Sequence, residues 1–336
     1  MALPDTRYGT DANGLICGFL MHPDASAGTL DSDAAAQWLA TPTLGQAEEF
    51  LWLHFNLGHT ASEKWLVQHA RLPEEFFEGL REGSYSTRIE LVESSLLAIV
   101  NDVHYDFSFE PSEISTLWLC VGKRLVITAR RRPLRSIDKL RTAVKAGEII
   151  RSPLELLIHL LRDQADVLVG IVRGATTRID QVEDKLLEGK LSVTRAGLGS
   201  LRRLLVRLQR LLAPEPASLF RLLQHPPQWI DEADTMELRQ STEVFSVVLR
   251  DMTALQERIK LLQEEIAAHV NEENNRSLYV LTIVTVLALP INIVAGLLGM
   301  NVGGVPLSQH AHGFWIIVAL IASFTGLAAW WAFRRK

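Results

Sequence analysis

The stretch Leu278-Tyr279-Val280-Leu281-Thr282-Ile283-Val284-Thr285-Val286-Leu287-Ala288-Leu289-Pro290-Ile291-Asn292-Ile293-Val294-Ala295-Gly296-Leu297-Leu298 decides the fold, because it holds no charged side chain. At 1.5 Å per residue a helix of this length crosses the roughly 30 Å of hydrocarbon in a bilayer. A second stretch of the same length, residues 313–333, is equally free of charge, and a polar but uncharged link of residues 299–312 joins the two. Two spans, about 278–298 and 313–333, return the chain to the side it started from. Arg276 precedes the first span, and Arg334, Arg335 and Lys336 close the second. Both ends are therefore expected on the cytoplasmic side, with Trp330-Trp331 in an interfacial aromatic belt.

Taken as an average, the chain hides this. It is 48% hydrophobic and 22% charged with a formal net charge of −5, values of an ordinary soluble protein. All of the charge lies outside residues 277–333, so a soluble body is fused to a membrane tail. The acidic balance gives no basic face for nucleic acid. Cys17 and Cys120 each sit in an apolar run and read as buried free thiols, and Met1–Arg7 has no apolar core of a signal peptide.

Working back from the span, no proline or glycine interrupts the chain between Asp231 and Pro290. One helical pattern of about 65 residues, some 100 Å, runs straight into the membrane. Along it Phe245, Val248, Met252, Leu255, Ile259, Leu262 and Ile266 step alternately by three and four. That period specifies left-handed coiled-coil packing, against copies of the same helix or against a helix of the same chain; the length favours copies. Leu154–Glu188 and Thr194–Leu212 are also helical in period, with breaks at Gly189, at Ala213-Pro214-Glu215-Pro216 and at Pro226-Pro227.

Residues 1 to about 148 read as mixed α/β. Leu117–Val121 and Arg124–Thr128, split by Gly122-Lys123, form the clearest hairpin. Gly14–Met21 and Phe50–Phe55 are short apolar runs, Ile89–Val103 supplies a further strand pair, and Ser62–Leu80 reads as helical. The expected organisation is an α/β domain (1–150), a helical stalk region (151–277) and a transmembrane domain (278–336).

The first span is no plain anchor. Steps of seven from Glu264 pass through Asn271, Leu278, Thr285, Asn292 and Gly299, and the neighbouring stripe through Ala268, Asn275, Thr282 and Leu289. An amide in hydrocarbon is unfavourable unless it faces protein or water. The stripe either lines a water-filled path or joins helices by hydrogen bonds. Two spans cannot enclose a pore, so a pore requires several chains around an axis.

Gly299-Met300-Asn301, closing the first of two C-terminal spans, resembles the Gly-Met-Asn signature of the CorA superfamily of divalent-cation transporters. Pro290–Leu298 is similar to that family's first span, and Val302-Gly303-Gly304-Val305-Pro306 to its zinc-associated ZntB branch. The resemblance implies a CorA-like funnel: an inner-membrane homopentamer in a lipid bilayer, with no bound cofactor and no catalytic residues. Zn²⁺ would be carried, coupled to protons or not, with Mg²⁺, Co²⁺ or Ni²⁺ as alternatives.

It further implies that Gly299, Met300 and Asn301 form the pore mouth. Leu281, Thr285 and Asn292 line the pore, and Leu278 and Leu289 make hydrophobic constrictions that gate by dewetting. Glu264, Glu265, Glu272 and Glu273 would concentrate cations, or form only a solvated helix face. The loop after the signature lacks the acid usual in magnesium-carrying relatives and offers His310 and His312, candidate contacts for a borderline-soft ion. A membrane-anchored scaffold is the rival from another class. An enzyme is the weakest reading, since His54, His59 and Asp102 show no spacing tied to a reaction.

Overall fold

The Leu117–Thr128 hairpin sits inside a seven-stranded sheet. The computed structural model describes residues 9–23, 25–41, 49–82, 87–110, 112–188, 195–224, 230, 232–300, 307 and 310–334. Asn301, the Val302–Pro306 run, Gly189, Pro226-Pro227, Arg335, Lys336 and Met1–Arg7 lie outside them. The strands are β1 (Leu15–His22), β2 (Ala25–Leu30), β3 (Phe50–Asn56), β4 (Arg88–Val92), β5 (Ser95–Val103), β6 (Ile114–Val121) and β7 (Leu125–Arg130), in the order β2-β1-β3-β7-β6-β5-β4. Only β3 and β7 pair in parallel, at the centre. Both are buried almost throughout, so helices must cover both faces. The N–H of Gly122 donates to the Leu125 carbonyl at 2.8 Å and closes the β6–β7 turn, which places Arg124 in the turn rather than in the strand. Ile89–Val103 is the β4–β5 hairpin, turning at Glu93 in left-handed backbone (φ 53).

One face is covered by α1 (Ser32–Ala40), α2 (Thr60–His69) and α3 (Glu74–Glu82). Trp65, Leu66, Phe76, Phe77 and Leu80 pack there on Leu53, Phe55, Trp118 and Ile127. Ser62–Leu80 is thus two helices: Arg71 takes φ 45 and Pro73 has no N–H, so neither can continue α2. The other face takes α4 (Arg135–Lys145), and α5 (Pro153–Leu187) follows with Pro153 in its first turn. Ser152 caps α5 by accepting the Glu155 N–H at 2.9 Å, while the Glu155 carboxylate accepts the N–H of Arg151, the residue before the cap.

Next come α6 (Arg195–Leu212), α7 (Pro214–Gln224), α8 (Glu232–Leu298) and α9 (Gly313–Arg334). The turn expected at Ala213–Pro216 is confined to Ala213, because Pro214 opens α7, a position that needs no N–H. The uninterrupted pattern after Asp231 is the 67-residue α8, which continues through Pro290.

The heptad stripe of α8 corrects one expectation. Phe245, Val248, Met252, Leu255, Ile259 and Leu262 are all buried within the single chain. Their neighbours are fixed by polar contacts at the stripe's edges. Arg162 of α5 pairs with Glu237 at 3.0 Å, and Arg258 with Asp180 of α5 at 2.8 Å, so α5 and α8 run parallel. On the other side Gln209 of α6 donates to Thr253 at 2.7 Å and accepts from Gln256 at 2.8 Å. A period of 3.5 states that a seam is filled but not by whom; here α5 and α6 of the same chain fill it. Cys17 and Cys120 are free thiols, Cys120 buried as expected and Cys17 only half-buried, and desolvation pushes both up to about 12. The chain divides into two compact units, Met1–Leu262 and Gln263–Lys336.

Candidate functional site

The unit from Gln263 onward holds the two helices long and apolar enough to cross a membrane, the end of α8 and α9. Their large side chains are exposed, among them Leu278, Leu281, Val284, Leu289, Ile293, Phe314, Trp315 and Leu327. So much apolar surface without cover needs lipid or protein around it. The Arg334 guanidinium lies 4.7 Å from the centre of the Trp330 ring, a cation–aromatic pair at the end of α9.

The polar residues of the span are exposed in the same way. Thr282 donates its hydroxyl proton to the Leu278 carbonyl at 2.7 Å, and Thr285 to the Leu281 carbonyl at 2.8 Å. With the proton used on the helix itself, each hydroxyl offers only lone pairs to anything that approaches. Asn292 follows two turns after Thr285, also exposed. Pro290 stands inside the helix without an N–H, which leaves the Val286 carbonyl lacking its intrahelical donor. Oxygen acceptors thus accumulate along a helix that is otherwise apolar. Such a set suits a hard or borderline cation or its water shell, and suits no nucleophilic chemistry.

At the end of the span the Gly299 N–H donates to the Ala295 carbonyl at 2.9 Å, and Met300 is exposed. Glu264, Glu265, Glu272 and Glu273 are exposed on α8, before the span. His310 Nδ1 accepts the His312 N–H at 3.2 Å, and the two rings lie 6.3 Å apart. In the neutral ring the proton is then on Nε2, so His310 serves its own turn. Among the described residues no three His, Cys, Asp or Glu side chains group as a metal site. The two histidines and the acid of the sheet domain have structural positions: His54 is buried, His59 caps α2, and Asp102 accepts the Ser136 N–H at 2.8 Å at the start of α4.

One feature of α8 escaped the sequence reading. Besides the buried seam, the helix carries an exposed one: Val247, Ala254, Leu261 and Ala268, each seven after the last. The same step continues into Asn275, Thr282 and Leu289, the polar stripe already noted. The seven-residue step upstream of Ala268 was the signal that would have found it.

The CorA-like Mg²⁺ transporter protein family matches residues 47–335. The divalent cation transporter CmaX of Pseudomonas aeruginosa is 31% identical over 97% of this chain and 97% of its own length. The zinc transport protein ZntB of Yersinia pseudotuberculosis is 24% identical, covering 91% of this chain and 94% of that protein. The solved structure of full-length CmaX superposes with a TM-score of 0.80 at 30% identity, over 97% of this chain and 99% of that one. An α/β sheet domain, a long helix and two C-terminal apolar helices are the architecture they share. The chain belongs to the CorA family: it is a membrane transporter of divalent cations and not an enzyme.

Proposed function

We propose that the chain carries Zn²⁺ across the inner membrane through a pore that several copies, five in the expected assembly, build from the first span. The observation that carries this reading is the exposed seam of α8, apolar at Val247, Ala254 and Leu261 and then oxygen-bearing at Asn275 and Thr282, with the exposed Thr285 and Asn292 on the neighbouring stripe. An apolar heptad seam that the chain leaves exposed is suited to pack copies side by side. Its continuation in the span gives each copy a strip of neutral oxygens to contribute to a shared path. Leu278 and Leu289 supply the narrow apolar rings, and Gly299, Met300 and Asn301 the mouth. Neutral oxygens hold a cation weakly enough for release, and outer-sphere contact leaves its water shell in place. Glu264, Glu265, Glu272 and Glu273 raise the cation concentration near the cytoplasmic end, with both chain termini on that side.

Zinc rather than magnesium is supported by the ZntB relatives and by a loop that offers histidines where an acid is usual. The competing reading, Mg²⁺, has the family's own description behind it. The test is flux into proteoliposomes loaded with a zinc-reporting dye, with Mg²⁺ as competitor. Asn301→Ala is expected to abolish zinc entry and leave the oligomer intact. Zinc entry at the wild-type rate in Asn301→Ala would remove the mouth assignment, and block of zinc entry by a small excess of Mg²⁺ would reassign the ion.

A further inference from the structure

The sheet domain buries a carboxyl group that nothing in the transport reading uses. Glu215, in the first turn of α7, is 0% exposed. No cation faces it. It meets the Gln164 amide of α5, whose Nε2 lies 3.4 Å from Glu215 Oε2 and donates more closely, at 2.8 Å, to the Asn101 carbonyl of β5. Two acceptors are left over in the same buried spot: Glu215 Oε1 and Gln164 Oε1 have no hydrogen-bond partner. The start of a helix normally offers a carboxylate free N–H groups, but Pro214 and Pro216 flank Glu215 and have none.

The surroundings complete the case. Asn101 donates from Nδ2 to Thr87 Oγ1 at 3.2 Å and accepts from Thr116 Oγ1 at 3.2 Å, while Thr87 Oγ1 donates to the Leu211 carbonyl of α6 at 2.8 Å. These groups are neutral. The ionisable group facing Glu215 from β5 is Asp102, itself buried, held by the N–H groups of Val103 and Ser136 and influenced by Arg135 of α4. From β4 come Arg88 and Glu90, which pair with each other at 2.6 Å on the exposed side. On α7 itself Arg221 approaches Ser218 at 3.5 Å. On α5 Asp163 pairs with Lys139 of α4 at 3.1 Å. Arg135 acts on Asp102, and among the described residues no cation acts on Glu215 to offset a second negative charge there.

We propose that the Glu215 carboxyl is a proton-binding site that latches α7 to α5 and β5, and that loss of this proton to solvent releases α7 from the junction. The proton converts one of two partnerless acceptors into a donor, which is the smallest change that satisfies a pair of buried oxygens. In the closed state burial first, and Asp102 second, push Glu215 up to about 8, well above its ordinary 4.5. A group raised in this way favours the closed state fully below the ordinary value, and the advantage is lost as pH rises towards about 8.

The test is hydrogen–deuterium exchange of the full-length protein in detergent, read on peptides covering 214–224 and 95–103 and corrected for intrinsic rates. With one proton released on opening, the α7 opening equilibrium should rise roughly tenfold per pH unit up to the plateau. Glu215→Gln keeps a neutral donor and acceptor, and its α7 should show no such slope. Asp102→Asn retains the α4 cap and should move the plateau to lower pH. An identical slope in Glu215→Gln, or a flat profile in the wild type, overturns the proposal. Should Glu215→Gln fail to fold, an unmoved plateau in Asp102→Asn overturns it independently.

Discussion

Arg130 donates from Nε to His54 Nε2 at 2.8 Å, and both side chains are buried in the sheet domain. A ring nitrogen that accepts carries no proton, so His54 is neutral, with its Nδ1 proton directed to Thr128 Oγ1 at 2.8 Å. Trp52 Nε1 donates to the same hydroxyl at 2.9 Å. Burial first, then Arg130 and Arg141, hold His54 well below its ordinary 6.5. Because the folded form refuses a proton that the unfolded form accepts, stability is present above that value and lost as pH falls below it. The expected loss is about 1.4 kcal/mol per pH unit from this one group. Denaturant midpoints at pH 7 and pH 5 check it: His54→Gln, which can still accept from Arg130, should lose less stability on acidification than the wild type. Equal losses would show that His54 is not the acid-sensitive group.

The two seams of α8 separate folding from assembly. Ile259 is 0% exposed in the inner seam and Leu261, two residues on, is 63% exposed in the outer one. Ile259→Ala removes packed atoms between α8 and its intrachain neighbours and should cost about 2–5 kcal/mol of unfolding free energy. Leu261→Ala trims a mostly exposed side chain and should change that free energy by less than about 0.5 kcal/mol. It should instead weaken the oligomer, seen by light scattering on dilution in detergent. The proposed use of the outer seam fails if Leu261→Ala assembles like the wild type.

These seams also show what the sequence makes legible. Periodicity reports that a face is buried, so Phe245 to Leu262 and the twice-covered strands β3, β6 and β7 could be read directly. It does not name the partner, which is why the length of α8 favoured copies over the helices of the same chain, α5 and α6, that fill the inner seam. The outer seam is hard to read because Ala254 and Ala268 are small and Glu257, Glu264 and Glu265 stand one helical turn from Leu261. β2 was missed for a different reason: Ala25–Leu30 is a mostly exposed edge strand, defined by pairing with β1 and by little in its own residues. In the span, Thr285 and Asn292 stood out because polar groups are rare in hydrocarbon. Glu215 and Asp102 did not, since an acid in a soluble domain ordinarily sits on the surface.

Gly174 tests a close approach in the same domain. A methyl group there would meet the Phe109 ring at 2.7 Å. The ring has little room to yield, with the Arg178 guanidinium 3.9 Å from its centre, Phe107 at 5.3 Å, and its own backbone at φ 73. Alanine would otherwise favour helix α5 by about 1 kcal/mol over glycine. Overpacking of this kind costs about 1–3 kcal/mol, so Gly174→Ala should be net destabilising. In a Phe109→Ala background the clash is gone and the same change should stabilise, a sign reversal that thermal unfolding of the four proteins would show.

Asn292 carries the sharpest prediction about transport. Its amide is an exposed oxygen and nitrogen source two turns below the end of α8, and leucine matches its length while offering a cation nothing. If the exposed stripe lines the path, Asn292→Leu replaces one polar ring by an apolar one in every copy at once. A lost hydrogen bond to a passing hydrated ion is worth about 1 kcal/mol per contact, and a ring multiplies it, so flux should fall by about tenfold or more. Ser323→Ala in α9 is the control. That hydroxyl donates to the Leu320 carbonyl of its own helix at 3.0 Å and belongs to the second span, which the proposed pore does not use, so flux should stay at the wild-type rate. Wild-type flux in Asn292→Leu would mean that the polar stripe joins helices rather than conducting ions. Reduced flux in Ser323→Ala would mean that the second span also meets the path.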